Sequence, residues 1–471
     1  MEISNDLIKL MKELLGDDAS IFFNQIGNAF DNTLRFNSLK GTIEDQIILM
    51  EASGFKLEPI QVFEQAYKVV NAPYAVGKTL SHFLGHIYIQ DLSSMIPPLV
   101  LDPQPGDIVL DMSAAPGSKT TQIAALMENE GVLIANDADP KRVQTLSYNL
   151  ERMGAVNTHV INTAGERIGK IYPETFDKIL LDPPCSGLGT LHKNPEINNW
   201  WTPEYSLNLA ERQFYMLRSA VRALKPGGIL VYSTCTLTPW ENEMVITRAL
   251  QEFPLTLMPI AALRGLEVEP GLTSFQSHSF HQDMEKTIRL NPVKNQTEGF
   301  FIARLQKTES MNSEPFEKQP HTFNWMQDNQ SPVKKYVDFI SNEFGIDRKL
   351  FRNYKFGVGR KINFINKMAA EFPLYFKPAR FGLPFGNPMQ QGIKLTTEAV
   401  HFWGRFMNNH VIDLETLKQV EEFVNRESDI AMEGKPGQKI FRYKNNLLGY
   451  GYFNGKKCRS FFPQAEWEFR F

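Results

Sequence analysis

The sequence predicts an α/β fold built on a doubly wound, mostly parallel sheet. Between Asp107 and Leu305, apolar runs of five to seven residues alternate with longer amphipathic segments. This alternation is typical of β–α–β units in a parallel sheet. Polar residues such as Asp182 and Cys185 come directly after one of these runs. Open parallel sheets bind ligands beyond the carboxyl ends of their strands, so these observations together indicate an enzyme domain.

Six strands and four helices are predicted in this central region. The strands are Asp107–Asp111, Gly131–Asp137, Val156–Ile161, Asp177–Asp182, Ile229–Ser233 and Gly299–Leu305. The helices are Lys119–Glu128, Asp139–Met153, Pro203–Leu224 and Glu241–Phe253. Asp139 is a suitable helix cap, and Pro140 suits the first helical position. The sequence from Lys225 to Gly228, Lys-Pro-Gly-Gly, is predicted to be a turn that precedes the fifth strand.

The flanking sequence divides into smaller units. A helical pattern, the strand-like Leu34–Lys40 and a helix at Thr42–Ala52 predict a small N-terminal α/β accessory domain. A polar, proline-spaced stretch indicates a linker, and a basic stretch follows it. Short strand candidates near the end, separated by Asn-Gly and Lys-Pro-Gly turns, indicate a β-rich module. We therefore predict boundaries at 1–80, 81–307, 308–332 (the linker), 333–395 (a basic intermediate domain) and 396–471.

The composition of the chain restricts the cellular location that we expect for the protein and the kinds of site that it can contain. The chain has 471 residues, of which 42% are hydrophobic, and no apolar run reaches the length of a membrane span. The N-terminus lacks the basic region and cleavage site of a signal peptide. Three cysteines without a Cys-x-x-Cys pair fit free thiols in a reducing cytoplasm. His278 and His281 lack a third ligand, so we predict no metal site.

Charge is distributed unevenly along the chain. Residues 331–471 contain 23 Lys and Arg against 14 Asp and Glu, whereas the whole chain has a net charge of −3. The densest basic block, residues 331–380, is interleaved with Phe351, Tyr354, Phe356 and Phe364. Basic and aromatic side chains together predict a surface that follows phosphates and stacks on bases. The alternative is an ordinary solvated face.

A small-residue loop between the first strand and the first helix is the predicted nucleotide site. In Asp111–Lys119, small side chains allow a ligand to approach the backbone closely, and the helix N-terminus offers free amides. The loop is neither a Gly-x-Gly-x-x-Gly fingerprint nor a P-loop. Asp137, at the end of the second strand, is placed to accept hydrogen bonds from ribose hydroxyls. The alternative for Asp137 is a role as a helix-capping residue.

Several motifs together resemble those of the Nop/Sun-type RNA (cytosine-5) methyltransferases. They are DMSAAPGSKT at 111–120, Asp137, DPPCSG at 182–187 and STCT at 233–236, flanked by IQDLSSMIPP at 89–98 and by GFFIARL at 299–305. The resemblance implies a Rossmann-like class I methyltransferase domain that uses S-adenosyl-L-methionine. FNSLK near the start and LGYGYFNGKKCRSFFP near the end are similar to the bacterial 16S rRNA branch. That branch carries a C-terminal PUA-like RNA-binding domain.

The resemblance also implies roles for individual residues. Cys235 is the expected nucleophile, and Cys185 is expected to help release the product. Asp182 is expected to hydrogen-bond the polar edge of the cytosine as a buried group that carries or shares a proton, and Lys119 to orient the neighbouring groups. The expected cofactor-binding residues are Ser113, Ala114, Ala115, Pro116, Gly117, Ser118, Lys119, Asp137 and Asp182. The sequence departs from the family at Ala164, where an acidic residue usually holds the adenine amino group.

The chemistry by itself leaves the choice of nucleophile open. A thiolate that adds to cytosine C6 activates C5 toward a methyl donor, and either cysteine could supply it. Both follow strand ends, and adjacent parallel strands lie about 4.8 Å apart, so both thiols could face one base.

The expected partner is RNA. Small-subunit rRNA, free or in the assembled subunit, is the first expectation, and tRNA is the alternative. A non-catalytic RNA-binding assembly factor is a different class of function, and the two cysteines, Asp182 and the small-residue loop argue against it. A dehydrogenase is disfavoured because the dinucleotide fingerprint is absent.

Overall fold

The structure is a computed structural model. It describes residues 3–28, 30–311, 316–426, 430–431 and 433–463, with the backbone alone at 430–431. In this part of the chain, no helix is both long enough and apolar enough to cross a membrane. The same residues contain no group of three or more His, Cys, Asp or Glu side chains placed to hold a metal ion.

A sheet of ten strands forms the centre of the molecule. In spatial order, nine of its strands are Val268–Pro270, Ile288–Leu290, Phe300–Lys307, Leu224–Thr234, Phe176–Leu181, Ile108–Asp111, Val132–Asn136, Thr158–Ile161 and Arg380–Phe381, and Leu255–Met258 pairs with Phe300–Lys307. The five strands from Leu224–Thr234 to Thr158–Ile161 are mutually parallel, and the outer strands are antiparallel. The prediction of a doubly wound, mostly parallel sheet is therefore confirmed.

Helices cover both faces of this sheet. The helices of the central region are Leu92–Leu101, Ser118–Leu126, Pro140–Met153, Ile168–Ile171, Ile197–Trp200, Pro203–Ala223, Glu243–Glu252 and Pro292–Asn295. The strand residues Ile179, Leu180 and Leu181 are fully buried because they contact two hydrophobic clusters, one on each face. This burial on both faces explains why the strands appear in the sequence as continuous apolar runs.

The predicted turn from Lys225 to Gly228 was wrong. The strand begins at Leu224, which pairs with Phe176, and pairing resumes five residues later between Ile229 and Lys178. The turn-forming residues thus make an irregularity within one long strand, Leu224–Thr234, because pairing on both sides keeps the chain in the sheet.

The N-terminal region contains the helices Asn5–Leu15, Asp18–Asn24, Ile43–Ala52 and Leu80–Leu84. Its four-stranded sheet has the order Lys56–Pro59, Ala66–Asn71, Thr33–Phe36 and Ile87–Ile89. The strand expected at Leu34–Lys40 ends at Phe36, and a 3-10 turn follows at Ser38–Lys40. Because Leu34 pairs with Ile89, this sheet extends beyond residue 80.

The C-terminal region contains two five-stranded sheets. The first consists of Trp325–Met326, Tyr354–Val358, Ile362–Asn366, Leu383–Pro388 and Ile393–Leu395, and the second of Val411–Leu414, Gly437–Tyr443, Asn446–Phe453, Lys457–Ser460 and Ile430–Ala431. The helices of this region are Val333–Phe344, Lys367–Glu371, Thr397–Trp403 and Leu417–Asn425. Part of the expected linker is therefore a strand, because Trp325–Met326 pairs with Phe356 and Gly357.

The aromatic residues of the basic block do not form an exposed stacking surface. Phe351, Phe356 and Phe364 are completely buried, and they pack around the buried Trp403. The ring centroids of Phe351 and Trp403 are 4.4 Å apart in a stacked arrangement. The sequence interpretation was wrong for these three residues because their rings occupy the core of the first C-terminal sheet. The fourth residue, Tyr354, is half-buried.

Candidate active site

A cavity of about 380 Å³ opens at the carboxyl ends of the parallel strands. It lies beside Ile108–Asp111, where the strand order reverses, which is the usual ligand position in an open α/β sheet. Its lining residues are Met112, Ser113, Ala115, Asn136, Asp137, Ala138, Asp139, Arg142, Gly165, Asp182, Pro183, Pro184, Cys185, Arg212, Met216 and Cys235.

Two free thiols face each other in this cavity. Cys185 follows the strand Phe176–Leu181, and Cys235 follows the neighbouring parallel strand Leu224–Thr234. The two Sγ atoms are 3.4 Å apart. The hydrogen bond to Cys235, followed by burial and by the charges of Cys235, Glu241 and Asp182, raises the pKa of Cys185 well above its usual value. The raised pKa favours the protonated form of the Cys185 thiol, and either sulfur can be the donor in the contact between the two.

A buried hydrogen-bond network holds the two cysteine loops together. The fully buried carboxylate of Glu241 accepts hydrogen bonds from the Ser186 amide at 2.8 Å and the Gln213 side chain at 2.9 Å through Oε2, and from the Thr238 hydroxyl at 3.0 Å through Oε1. Sequence reasoning missed Glu241 as a site residue. The sequence did contain a signal for Glu241, because it is an acidic residue at the start of a predicted helix and it closely follows the second cysteine motif.

Close backbone approach fixes the position of Cys235. Its carbonyl accepts a hydrogen bond from the amide of Gly189 at 2.9 Å. A Cβ atom on Gly189 would lie 2.0 Å from the carbonyl oxygen of Gly299 and 2.8 Å from that of Cys235. Only glycine therefore fits at position 189, and the segment after Cys185 is locked against the segment that carries Cys235.

Asp182 and Lys119 form an ion pair beside the thiols. Lys119 Nζ is 2.5 Å from Asp182 Oδ2, and the Ser233 hydroxyl donates to Oδ1 at 3.1 Å. Burial opposes the charge on Lys119, but the charge and hydrogen bond of Asp182, with a contribution from Cys235, raise the pKa of Lys119 overall. Asp182 keeps 24% of its side chain exposed, and both of its carboxyl oxygens accept hydrogen bonds.

The small-residue loop is anchored by the carboxylate of Asp137. Asp137 Oδ2 accepts a hydrogen bond from the amide of Ala115 at 3.2 Å, and Oδ1 accepts one from the amide of Asp139 at 3.0 Å. Gly117 has a φ of 111°, and the helix begins directly after it at Ser118. The Asp137 carboxylate therefore links the loop to the end of the second strand.

The predicted cofactor residues divide into two groups. Ser113, Ala115, Asp137 and Asp182 line the cavity, whereas Ala114, Pro116, Gly117, Ser118 and Lys119 form the loop and helix start behind it. At the departure from the family pattern, Ala164 is exposed and its neighbour Gly165 lines the cavity. A Cβ on Gly165 would lie 2.9 Å from Met216 Cε, so this wall is closely packed.

Asp111 is a second residue that sequence reasoning did not single out. It is buried below the loop and accepts a hydrogen bond from the Thr120 hydroxyl at 2.7 Å. Burial raises the pKa of Asp111 from 3.8 to about 7, although the hydrogen bond from Thr120 and the charge of Lys119 oppose this change. The loop thus rests on a carboxyl group that titrates close to neutral pH.

Comparison with known proteins identifies the family. The profile of 16S rRNA methyltransferase RsmB/F matches residues 98–306, and that of the N-terminal domain of 16S rRNA methyltransferase RsmF matches residues 3–92. The ribosomal RNA small subunit methyltransferase F of Aeromonas salmonicida is 32% identical, over 92% of this chain and 90% of that protein. The chain belongs to the RsmB/F methyltransferase family. It is accordingly an RNA (cytosine-5) methyltransferase that depends on S-adenosyl-L-methionine.

Two further proteins are similar to a shorter part of this RsmB/F family member. The tRNA (cytosine(49)-C(5))-methyltransferase of Pyrococcus abyssi is 37% identical, over 65% of this chain and 99% of that protein. A crystal structure of a methyltransferase homologue from Pyrococcus horikoshii has 36% identity and a TM-score of 0.57, and it covers 63% of this chain and 93% of that chain.

The cavity fits the cofactor that the family uses. Its volume lies within the range of small-molecule sites, and a carboxylate at the end of the second strand can receive ribose hydroxyls. The amide-rich start of the helix Ser118–Leu126 closes the same side. The two thiols follow the strand ends on the other side of Ile108–Asp111.

Proposed function

We propose that this RsmB/F family member methylates C5 of a cytosine in small-subunit rRNA through a covalent adduct with Cys235. The observation that carries the proposal is the pair of thiols, 3.4 Å apart, at the ends of adjacent strands beside the Asp182–Lys119 pair. S-adenosyl-L-methionine supplies an electrophilic methyl group when it is bound. The residues of the chain supply the nucleophile, the hydrogen bonds to the base and the route for release.

The first step is addition of the Cys235 thiolate to C6 of the cytosine. The new S–C6 bond moves electron density to C5 and toward N3, and C5 becomes nucleophilic. After C5 has been methylated, a water molecule acting as a base takes the C5 proton, and the electron pair of that C–H bond forms the C5–C6 double bond. The S–C6 bond breaks at the same time, and Cys235 leaves as a thiolate with the electron pair of that bond. The base must be unstacked from its neighbours to admit the thiol on one face.

The electrostatics around the thiols support Cys235 as the nucleophile. The raised pKa of Cys185 favours a thiol that can donate a hydrogen bond across this contact, and such a bond would stabilise a negative charge on Cys235. The Lys119 cation interacts favourably with the same charge. We assign Cys185 to the release step because its Sγ is within reach of the S–C6 bond that must break.

Asp182 and Lys119 are proposed to hold the polar edge of the cytosine. A carboxylate can accept a hydrogen bond from the exocyclic amine of the base. The short contact between Lys119 and Asp182 offers a proton toward N3 as negative charge develops there. Preorganised hydrogen bonds of this kind lower the barrier because they require little rearrangement in the transition state.

The extent of the sequence similarity supports rRNA as the substrate. The match to ribosomal RNA small subunit methyltransferase F includes the C-terminal region, whereas the match to the tRNA enzyme covers 65% of the chain. We propose the cytoplasm as the location, because the mechanism needs two reduced thiols at a distance where oxidation would join them.

The test is to trap the adduct. Cys185→Ala, purified from cells, should migrate slowly on a denaturing gel because product release fails and RNA stays attached. Mass spectrometry should place the attachment at Cys235, and sequencing of the trapped RNA should identify small-subunit rRNA. Sequencing that identified tRNA would establish the alternative substrate.

The double variant Cys185→Ala/Cys235→Ala is the matched control and should show no adduct. An adduct that persists in the double variant would contradict the mechanism. Methylation by Cys185→Ala at the wild-type rate, without any trapped species, would do so as well.

A further inference from the structure

A second cavity, of about 340 Å³, lies in the C-terminal region. It is lined by Gln327, Asp328, Asn329, Arg348, Arg352, Tyr354, Lys355 and Lys367. Four of these residues are basic and one is acidic, so the lining has an excess of three positive charges. A concave site with this charge attracts anions.

One of the four cations fixes the shape of the cavity. Arg348 hydrogen-bonds to Asp338 at 2.7 Å, to the carboxylate of Asp328 and to the carbonyl of Asp328 at 3.1 Å. Its charge is therefore used within the fold, where it holds the segment from Gln327 to Asn329 against the 3-10 turn Arg348–Asn353. The rim of the cavity is consequently preorganised.

The positive charges of the other three basic side chains are poorly neutralised by nearby carboxylates. Arg352 and Lys367 are exposed, and among the residues that the structure describes no carboxylate lies within 4.0 Å of either side chain. Lys355 Nζ is 3.7 Å from a carboxyl oxygen of Glu371, whose side chain is 59% exposed. Such a long, solvated contact neutralises little charge. Arginine and lysine in this arrangement are the side chains that bind phosphate groups.

The cavity and the thiols lie at opposite ends of the central sheet. The Asn366 side chain donates to the carbonyls of Asn129 and Gly131, at 2.9 and 2.8 Å, directly before the strand Val132–Asn136 begins. Lys367 is the next residue. The cysteines follow the other ends of the parallel strands. A strand of five residues spans about 17 Å, so at least this distance separates the two sites.

We propose that this cavity binds a backbone phosphate of a second RNA segment, remote from the target cytosine. The inference rests on the proposed function, in which RNA is the substrate. Phe351, Phe356 and Phe364 are buried in the core, and the half-buried Tyr354 is the one aromatic residue among the lining residues, so the site offers mainly charge. It therefore contributes affinity and orientation without reading the base sequence. A large folded RNA can reach both sites, whereas a short fragment around the target cannot.

The test compares two charge-reversed proteins of full length. Arg352→Glu/Lys367→Glu alters two exposed residues of the cavity. Lys418→Glu/Lys456→Glu makes the same charge change at exposed residues beside the second C-terminal sheet and is the matched control. The RNA probes are a 16S rRNA transcript and a short fragment of it that carries the cytosine mapped in the wild-type product. Equal melting temperatures would show that both variants fold.

We expect Arg352→Glu/Lys367→Glu to bind the transcript at least about tenfold more weakly than the control does. The slope of log K against log salt should fall in magnitude by about two, because two side chains no longer neutralise phosphates. KM for the transcript should rise by about tenfold more than KM for the fragment, because the fragment cannot reach the cavity.

Two results would overturn the inference. The first is transcript binding that changes no more than it does in the control. The second is an equal loss for the transcript and the fragment, which would place the cavity next to the target. A wild-type protein that binds RNA but transfers no methyl group would instead contradict the proposed function, because the binding comparison needs no catalysis.

Discussion

The two ends of the central sheet use charged side chains in opposite ways. At the carboxyl ends, Lys119 and Asp182 are paired at 2.5 Å, and the buried Glu241 has all of its oxygens engaged. At the other end, Arg352 and Lys367 are exposed and unpaired within the described residues. The first site is rigid and nearly balanced in charge, whereas the second is open and positive.

This difference corresponds to the two tasks that we propose for these sites. Covalent chemistry requires atoms fixed to within a fraction of an ångström, so the charges there are matched and shielded from water. RNA docking gains free energy from the release of counterions, so the charges there must be free before binding. Activity should therefore respond sharply to single atoms at the first site and to salt at the second. Substitutions at Cys235, Asp182 and Asp111 test the first expectation, and the charge reversals at Arg352 and Lys367 test the second.

The largest effect is expected from Cys235→Ala. Loss of the nucleophile removes the covalent path, so methyl transfer should fall by about 10⁴-fold or more. Binding of S-adenosyl-L-methionine, measured by calorimetry, should stay within about threefold of the wild type, because the loop that holds it is untouched. Full activity in this variant would show that Cys235 is not the nucleophile and would favour Cys185 for that role.

An intermediate effect is expected from Asp182→Asn. The amide keeps the shape but loses the negative charge that holds Lys119, so kcat should fall by about 10²- to 10³-fold. Because Asp182 is what raises the pKa of Lys119, that pKa should fall in the variant. The pH dependence of kcat, measured by labelled-methyl transfer, would then show loss of activity at a lower alkaline pH. An unchanged kcat would show that the ion pair is structural.

The smallest effect on activity is expected from Asp111→Asn, which should act on the stability of the fold. Since burial raises the pKa of Asp111 to about 7, the folded protein holds this proton more tightly than the unfolded chain does. The contribution to stability is complete below pH 4 and is lost as the pH rises toward 7. The variant should avoid this loss and gain between about 1 and 4 kcal/mol relative to the wild type from pH 5 to pH 8.

Urea unfolding of both proteins at several pH values measures this difference. A pH-independent difference between the two proteins would contradict the assignment, because replacement of a group that titrates near neutral pH must change the slope of stability with pH.

The catalytic strand ends could be predicted from the sequence because each signal is local. The short apolar run Ile179–Leu181, bounded by turn formers, suits a strand buried on two faces, and residues that follow such a strand lie at the edge of the sheet. Cys185, Cys235, Asp182 and Asp137 all lie on the cavity wall for this reason. The sequence signal for the helix cap at Asp139 was equally local. The Asp139 side chain accepts hydrogen bonds from the amides of Lys141 and Arg142.

Other features depend on partners that are distant in the chain. The role of Glu241 comes from Ser186 and Gln213, which are 55 and 28 residues away. The burial of Phe351, Phe356 and Phe364 depends on the helix that carries Trp403. An aromatic residue between two basic residues has the same local pattern in a core strand as on a binding surface, so the sequence could not distinguish the two.

The sequence by itself determined the parallel sheet, the residues at its strand ends and hence the class of chemistry, because short-range periodicity dictates which side chains are buried. Only the tertiary structure decided how the groups act on one another. The separation of the thiols, the pairing of Asp182 with Lys119 and the position of the basic cavity at the far end of the sheet all arise from contacts between segments that the chain order leaves far apart. Electrostatic interactions depend on such distances in space, and these are fixed when the whole core packs.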